Sequence, residues 1–346
     1  MRYVFTLLAA LMVANPCVGQ TTTEKKDSKP ATKQVEKKKK PPKHKTAFLT
    51  PKQAGPDFEV QGEYVGKVHN GQMTVGLQII AMGDGQFEGV VYPGGLPGAG
   101  WQGEQKIAMK GKTDGEMTVL NSDAGSAQIK DGMITAFDPN GMKIGELKKV
   151  VRKSPTLGQK PPEGAVVLFD GKSADSFLNG RLIDGMLQEG MTSKQKFGSF
   201  KLHMEFMLSF MPYARGQQRS NSGVYMQGRY ECQILDSFGL DGKHNECGGI
   251  YKIAKPKVNM CLPPLSWQTY DVEFRAARFD ESGKKTENAR ITVLHNGVPI
   301  HENVDAKHAT TASPVKEGAG DGPIYIQNHG NPLRFRNIWL VPTDQK

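Results

Sequence analysis

Residues Asn221 to Gly239, NSGVYMQGRYECQILDSFG, read as two β-strands in succession, yet they carry polar and chargeable side chains where a strand serving only a core would not. At strict period two, Tyr230, Cys232 and Ile234 face one side of the sheet and Glu231, Gln233 and Leu235 the other. One face is apolar, and the other sets a carboxylate beside an amide. Asp236, five residues after Glu231, falls on the apolar side of a regular strand, so the two acids share a face only if a bulge adds one residue. A bulge is therefore expected here. The plain alternative is a solvated outer face.

The same period recurs on both sides of this segment. Phe200, Leu202, Met204, Phe206 and Leu208 alternate with Lys201, His203, Glu205, Met207 and Ser209. WQTYDVEFRAARF, ARITVLHNGVPIHENV and LRFRNIWLV follow, and Asn296-Gly297 between alternating runs signals a tight hairpin. Many strands, Gly/Pro turns and almost no helical pattern argue for an all-β, two-sheet sandwich of jelly-roll type from residue 164 to 346. Upstream, residues 53–150 hold short runs such as MTVGLQIIAM, QFEGVVY and GEMTVL between Gly and Asp turns, which predicts a small antiparallel β domain without a convincing helix. Its Gly-rich loop, Pro93 to Trp101, lacks the Lys-Ser/Thr ending of a phosphate cradle, so a binding or spacer role fits better than catalysis. A Pro-rich joint, Ser154 to Gly164, separates the two domains.

The net charge of +10 over 346 residues suggests a nucleic-acid or acidic-surface binder until it is located. Residues 1–52 hold 12 of the 45 Lys and Arg but 3 of the 35 acidic residues, leaving 33 basic against 32 acidic in the rest. The folded part is nearly neutral, and a nucleic-acid partner is not expected. Residues 1–19 combine Arg2, an apolar run from Val4 to Ala14 and small residues near Val18, the pattern of a cleaved export signal. Residues 20–52 read as a disordered Lys-rich tether able to lie against an anionic envelope surface. The expected location is periplasm or cell envelope, with no transmembrane anchor beyond the signal. Removal of the signal takes Cys17 and leaves Cys232, Cys247 and Cys261, of which the last two could close a short loop.

Several strands could contribute to one polar cleft: His203 and Glu205, then Glu231 and Gln233, then Tyr325, Gln327 and His329, with Arg334 and Arg336 supplying positive charge. Exposed sheet surface is the alternative. At these residues the chain resembles a known family. GAVVLFDGK, NSGVY followed by RYECQILDS, the segment Trp267-Gln268-Thr269-Tyr270-Asp271, and GPIYIQNHGNPLRFRNIW together resemble the bacterial 3-keto-disaccharide hydrolase domain over about residues 164–341. The resemblance implies a concanavalin-like jelly roll acting on glycosides oxidised at sugar carbon 3. Cys232 and Asn328 depart from the commoner aliphatic and acidic residues.

A carbonyl at C3 acidifies the C2 hydrogen, so one base can remove it and the glycosidic oxygen at C1 can leave, with water adding later. Such a route needs a base, a donor or positive charge where the enolate oxygen develops, and an acid at the leaving group. The base is assigned to His329 or Glu231, enolate support to Arg334 or a bound divalent metal, and protonation to the remaining acid, Asp236 included. Asp241, His244, Asn245 and Glu246, or else His203, Glu205 and His329, are the candidate metal ligands. Two alternatives stay open. Glu231, Gln233 and Asp236 also look like the bulged catalytic strand of laminarinase-type retaining glycosidases. A non-catalytic carbohydrate-binding module would stack sugar on Tyr325 and Trp267 and bond its hydroxyls with Gln233, Asn221 and Gln327.

Overall fold

A computed structural model describes residues 42–343; the expected signal and most of the expected tether lie outside them. The last part of that tether is ordered. Lys43–Lys45 forms a 3-10 turn, and Phe48 exchanges backbone hydrogen bonds of 2.9 Å with Phe210. The Lys-rich composition stops short of Ala47-Phe48-Leu49, and those apolar side chains give this stretch something to bury.

Two short helices, α1 (Pro51–Ala54) and α2 (Pro56–Val60), lead into an eight-stranded closed antiparallel barrel. Each helix has proline in its first turn, where the missing N–H is no loss. Too short to show a helical period, neither was expected. The barrel strands are β1 (Gly62–Val68), β2 (Met73–Gly83), β3 (Gln86–Pro93), β4 (Ile107–Asp114), β5 (Met117–Ser122), β6 (Gly125–Lys130), β7 (Met133–Phe137) and β8 (Lys143–Val150). Pairing of β1 with β8 removes both sheet edges, which a meander of this length would otherwise leave open.

After the joint comes a two-sheet sandwich. Its strands are β9 (Val166–Phe169), β10 (Phe177–Leu178), β11 (Leu182–Ile183), β12 (Met186–Leu187), β13 (Met191–Phe197), β14 (Phe200–Met207), β15 (Asn221–Met226) and β16 (Tyr230–Leu235). They continue with β17 (Trp267–Arg275), a ribbon of β18 (Arg278–Phe279) and β19 (Lys285–Glu287), then β20 (Ala289–His295), β21 (Val298–Ala306), β22 (Gly322–Ile326) and β23 (Arg334–Pro342). The smaller sheet runs β10-β13-β22-β15-β16. The larger runs β11-β12-β23-β14-β17-β20-β21, with β9 on β23. Neighbours in space are distant in sequence, as in a jelly roll. Asn296 and Gly297 take φ of 52° and 78° between β20 and β21, the hairpin expected from their chemistry.

The period-two pattern decides what fills the sandwich. Val224, Met226, Cys232 and Ile234 of the smaller sheet meet Leu202, Met204, Phe206, Val272 and Ile291 of the larger in one buried core. The barrel and sandwich also share side chains. Phe210, from the loop after β14, is fully buried in the barrel core, and Ile80 of β2 joins the sandwich core.

Candidate active site

The site is built on the side of the smaller sheet turned away from the core. Thr192, Tyr325, Tyr225 and Glu231 lie in register across β13, β22, β15 and β16. The next row places Gly223 opposite Gln233, and the Gln327 N–H donates to the Gly223 carbonyl at 2.9 Å. In all five strands of this sheet Glu231 is the only carboxylate.

Glu231 is 2% exposed, and burial raises its carboxyl to about 7 against a hydrogen bond with Tyr225 that lowers it. Its side chain lies over Gly223, where a Cβ would stand 2.2 Å from Oε1. Glycine is needed here for space, not for backbone freedom. The Tyr225 hydroxyl also accepts from Gln327 Nε2 at 3.1 Å, and its ring packs on Tyr325 with centroids 5.2 Å apart. Gln233 Nε2 donates to Asn221 Oδ1 at 2.8 Å, and Asn221 Nδ2 donates onward to the Gln217 carbonyl at 2.8 Å. Gln217 reaches the Asn245 carbonyl, so a chain of amides ties the face to the loop that follows. The Tyr251 N–H donates to the Glu231 carbonyl, bringing a half-buried tyrosine beside the same strand.

Asn221, Gln233, Tyr325 and Gln327 thus share the face with Glu231. His329 is exposed on the loop two residues beyond Gln327. Gly223, Tyr225 and Tyr251 were missed in sequence, although the first two follow from alternation once β15 is laid antiparallel to β16.

Other expectations need correction. β15 and β16 pair without a register shift from Asn221–Leu235 to Met226–Tyr230, so no bulge forms. Asp236 therefore stays off the Glu231 face, completely buried and 3.0 Å from the Nε of Arg219. Burial, opposed by Arg219, raises its carboxyl pKa. His203, Glu205 and Trp267 project from the outer face of the larger sheet, on the far side of the core. There His203 Nδ1 lies 2.6 Å from Asp271 Oδ1, and the ring stacks on Trp339 at 5.1 Å. Glu205 accepts from Arg336, Asn337 and the Gly158 N–H, while the Arg336 guanidinium sits 4.0 Å over the Trp267 ring. Both strands alternate as expected, but alternation cannot say which sheet a strand joins. Arg334 is also committed elsewhere, donating to Gln188 Oε1 at 2.5 Å.

The candidate metal loop is likewise occupied by other work. Asp241 pairs with Lys106 of the barrel, and Glu246 accepts from the N–H groups of Gly242 and Lys243. Among the described residues no group of three or more His, Cys, Asp or Glu is arranged to hold a metal ion. Cys232, Cys247 and Cys261 are buried free thiols, with Cys247 Sγ 3.2 Å from the Tyr270 hydroxyl.

Tyrosines, amides and one buried carboxylate on a jelly-roll sheet define the class, a carbohydrate-active β-sandwich protein. Residues 164–341 match the family described as the 3-keto-alpha-glucoside-1,2-lyase-like domain, and the chain belongs to that family. Among solved structures it is similar to a protein of Parabacteroides distasonis described as a candidate glycosyl hydrolase, with 31% identity, TM-score 0.48, and 53% of this chain and 85% of that one covered. Two more from the same organism, described in the same way, align at 20% identity and TM-score 0.37 over 52% and 99% of the two chains, and at 16% and 0.39 over 53% and 95%. No curated protein matches the chain.

Proposed function

We propose that the protein cleaves 3-keto-glycosides by eliminating the C1 substituent across C1–C2, with hydration of the resulting enone as a later step. The observation that carries this reading is the isolation of Glu231, a single buried carboxylate with a pKa of about 7 and no second acid on its sheet face. Retaining glycosidases need two carboxyl groups about 5 Å apart, one as nucleophile and one as acid. With Asp236 on the other side of the strand, that pair is missing. One base is enough when a ketone has already acidified the neighbouring C–H.

In this reading ionised Glu231 takes the C2 proton. Electrons flow into the C3 carbonyl and then expel the C1 oxygen, which collects a proton as it leaves. Tyr225 donates to the carboxylate and fixes its direction, and Tyr325 offers an aromatic surface to the sugar. His329 and Gln327 follow Tyr325 closely in sequence and are assigned to the oxygens that gain charge. The export-signal pattern of residues 1–19 supports a cell-envelope setting for the reaction.

The test is incubation of the purified protein with a 3-keto-glucoside, such as 3-keto-sucrose, and with its unoxidised parent. Release of the leaving alcohol from the keto form alone is expected, with a rate that rises as pH passes through about 7 and Glu231 ionises. Release from the unoxidised parent at an equal rate would overturn the elimination reading, and binding of both without turnover would make the domain a carbohydrate-binding module.

A further inference from the structure

The two ends of the barrel are lined differently. At the end where β2 turns into β3, helices α1 and α2 and the inserted Phe210 ring close the lumen. At the opposite end, where β1 turns into β2 and β7 into β8, a cavity of about 220 Å³ opens. Leu77, Met109, Ile134 and Leu147 wall it, and small residues on β6 and β7, Ala127 and Ala136, leave the space that larger ones would fill. No Asp, Glu, Lys or Arg lines it; His69 and Ser122 are among its few polar groups. The pocket at the closed end is different in kind, lined by Asp57, Glu59, Glu116, Lys130, Asp131 and Lys149.

We propose that the apolar end of the barrel is a binding site for a small uncharged hydrophobe, a single substituted ring or an alkyl chain of similar bulk. Eight strands give an interior that side chains can just fill or that can hold one small ligand, and here the filling stops partway. An apolar cavity of about 150 Å³ takes up benzene, so 220 Å³ admits a somewhat larger guest. A charged guest would lose its hydration with nothing in the lining to pair it. The rim supports entry. Met73, which lines the opening, is 38% exposed at the start of β2, and methionine adapts its shape to apolar guests.

The test uses the full chain with methyl-labelled Met, Ile and Leu, titrated with ethylbenzene or 1-hexanol and, as a charged control, hexanoate. Saturable shifts centred on Met73, Leu77, Met109 and Ile134, with a Kd below 1 mM and hexanoate at least tenfold weaker, are expected. Ala136→Phe fills the space and abolishes the shifts; Ser122→Asp introduces a charge and does the same without overpacking, so poor folding of either leaves the other decisive. No saturable shift up to the solubility limit, shifts centred on the sandwich, or an unchanged Kd in a folded variant would overturn the proposal.

Discussion

Glu231 is held neutral in part by its surroundings, and that has consequences for both activity and stability. Its carboxyl titrates near 7 in the folded protein against 4.5 as the ordinary value, so the folded form retains a proton that the unfolded chain releases. The corresponding stabilisation is complete below 4.5 and is lost as pH rises through 7, a swing of about 3 kcal/mol. Glu231→Gln should abolish turnover while removing most of that pH dependence, so that urea unfolding at pH 8 finds the variant as stable as the wild type or more so. A variant that keeps its activity would remove Glu231 from the chemistry. Gly223→Ala tests the geometry instead, because its methyl must push the carboxylate aside. Displacement of about 1 Å lowers kcat roughly 100-fold, with circular dichroism and melting behaviour close to wild type. The chemistry of these residues was visible in the chain as a polar side of an apolar strand. Their partners were less so, because Tyr225 passes for a core aromatic until its position opposite Glu231 is known.

The joint between the domains is latched by a buried ionic cluster on the larger sheet. Glu205 holds the Gly158 N–H at 2.6 Å, Asn337 and Trp339 donate to the Gln159 carbonyl, and Thr156 donates to Asp271. Burial opposes charge on Glu205, but hydrogen bonds from His203, Asn337, Gly158 and Arg336 outweigh it and bring the carboxyl down to about 2. Burial likewise opposes charge on His203, and Asp271 and Glu205 outweigh it to raise the imidazole pKa. The Glu205 contribution is present above 4.5 and lost as pH falls through about 2, while the His203 contribution is complete below 6.5 and lost as pH rises through the raised value. The latch is therefore strongest in the mildly acidic window between. Glu205→Gln should lower unfolding free energy by roughly 3 kcal/mol at pH 6 and speed proteolysis of residues 154–160; unchanged cleavage would show that the cluster does not hold the joint. Sequence periodicity made β14 legible as a strand with His203 and Glu205 on one side. It could not reveal that this side receives the joint, since that depends on which sheet β14 enters.

Across the protein, strand content and the sandwich architecture were legible because alternation, hairpin dipeptides and turn residues all pointed the same way. Closure of β1–β8 into a barrel was not, because the β1–β8 pairing joins residues far apart and leaves no local mark. The exchange of Phe210 and Ile80 between the two cores was invisible for the same reason. Phe210→Ala should lower stability by about 3–5 kcal/mol and, because its ring caps the barrel, loosen hydrogen-exchange protection in β1–β3 more than in β15 and β16. Equal loss in both would mean that the ring supports the fold without linking the halves preferentially to the barrel. A gene fragment trimmed to begin at Gly164 would encode every strand of the sandwich, yet leave Phe210 jutting into water and the seat of Ile80 vacant. Such a truncated product is expected to be sticky and poorly recovered, so the sandwich is best handled here together with the upstream companion that shields it.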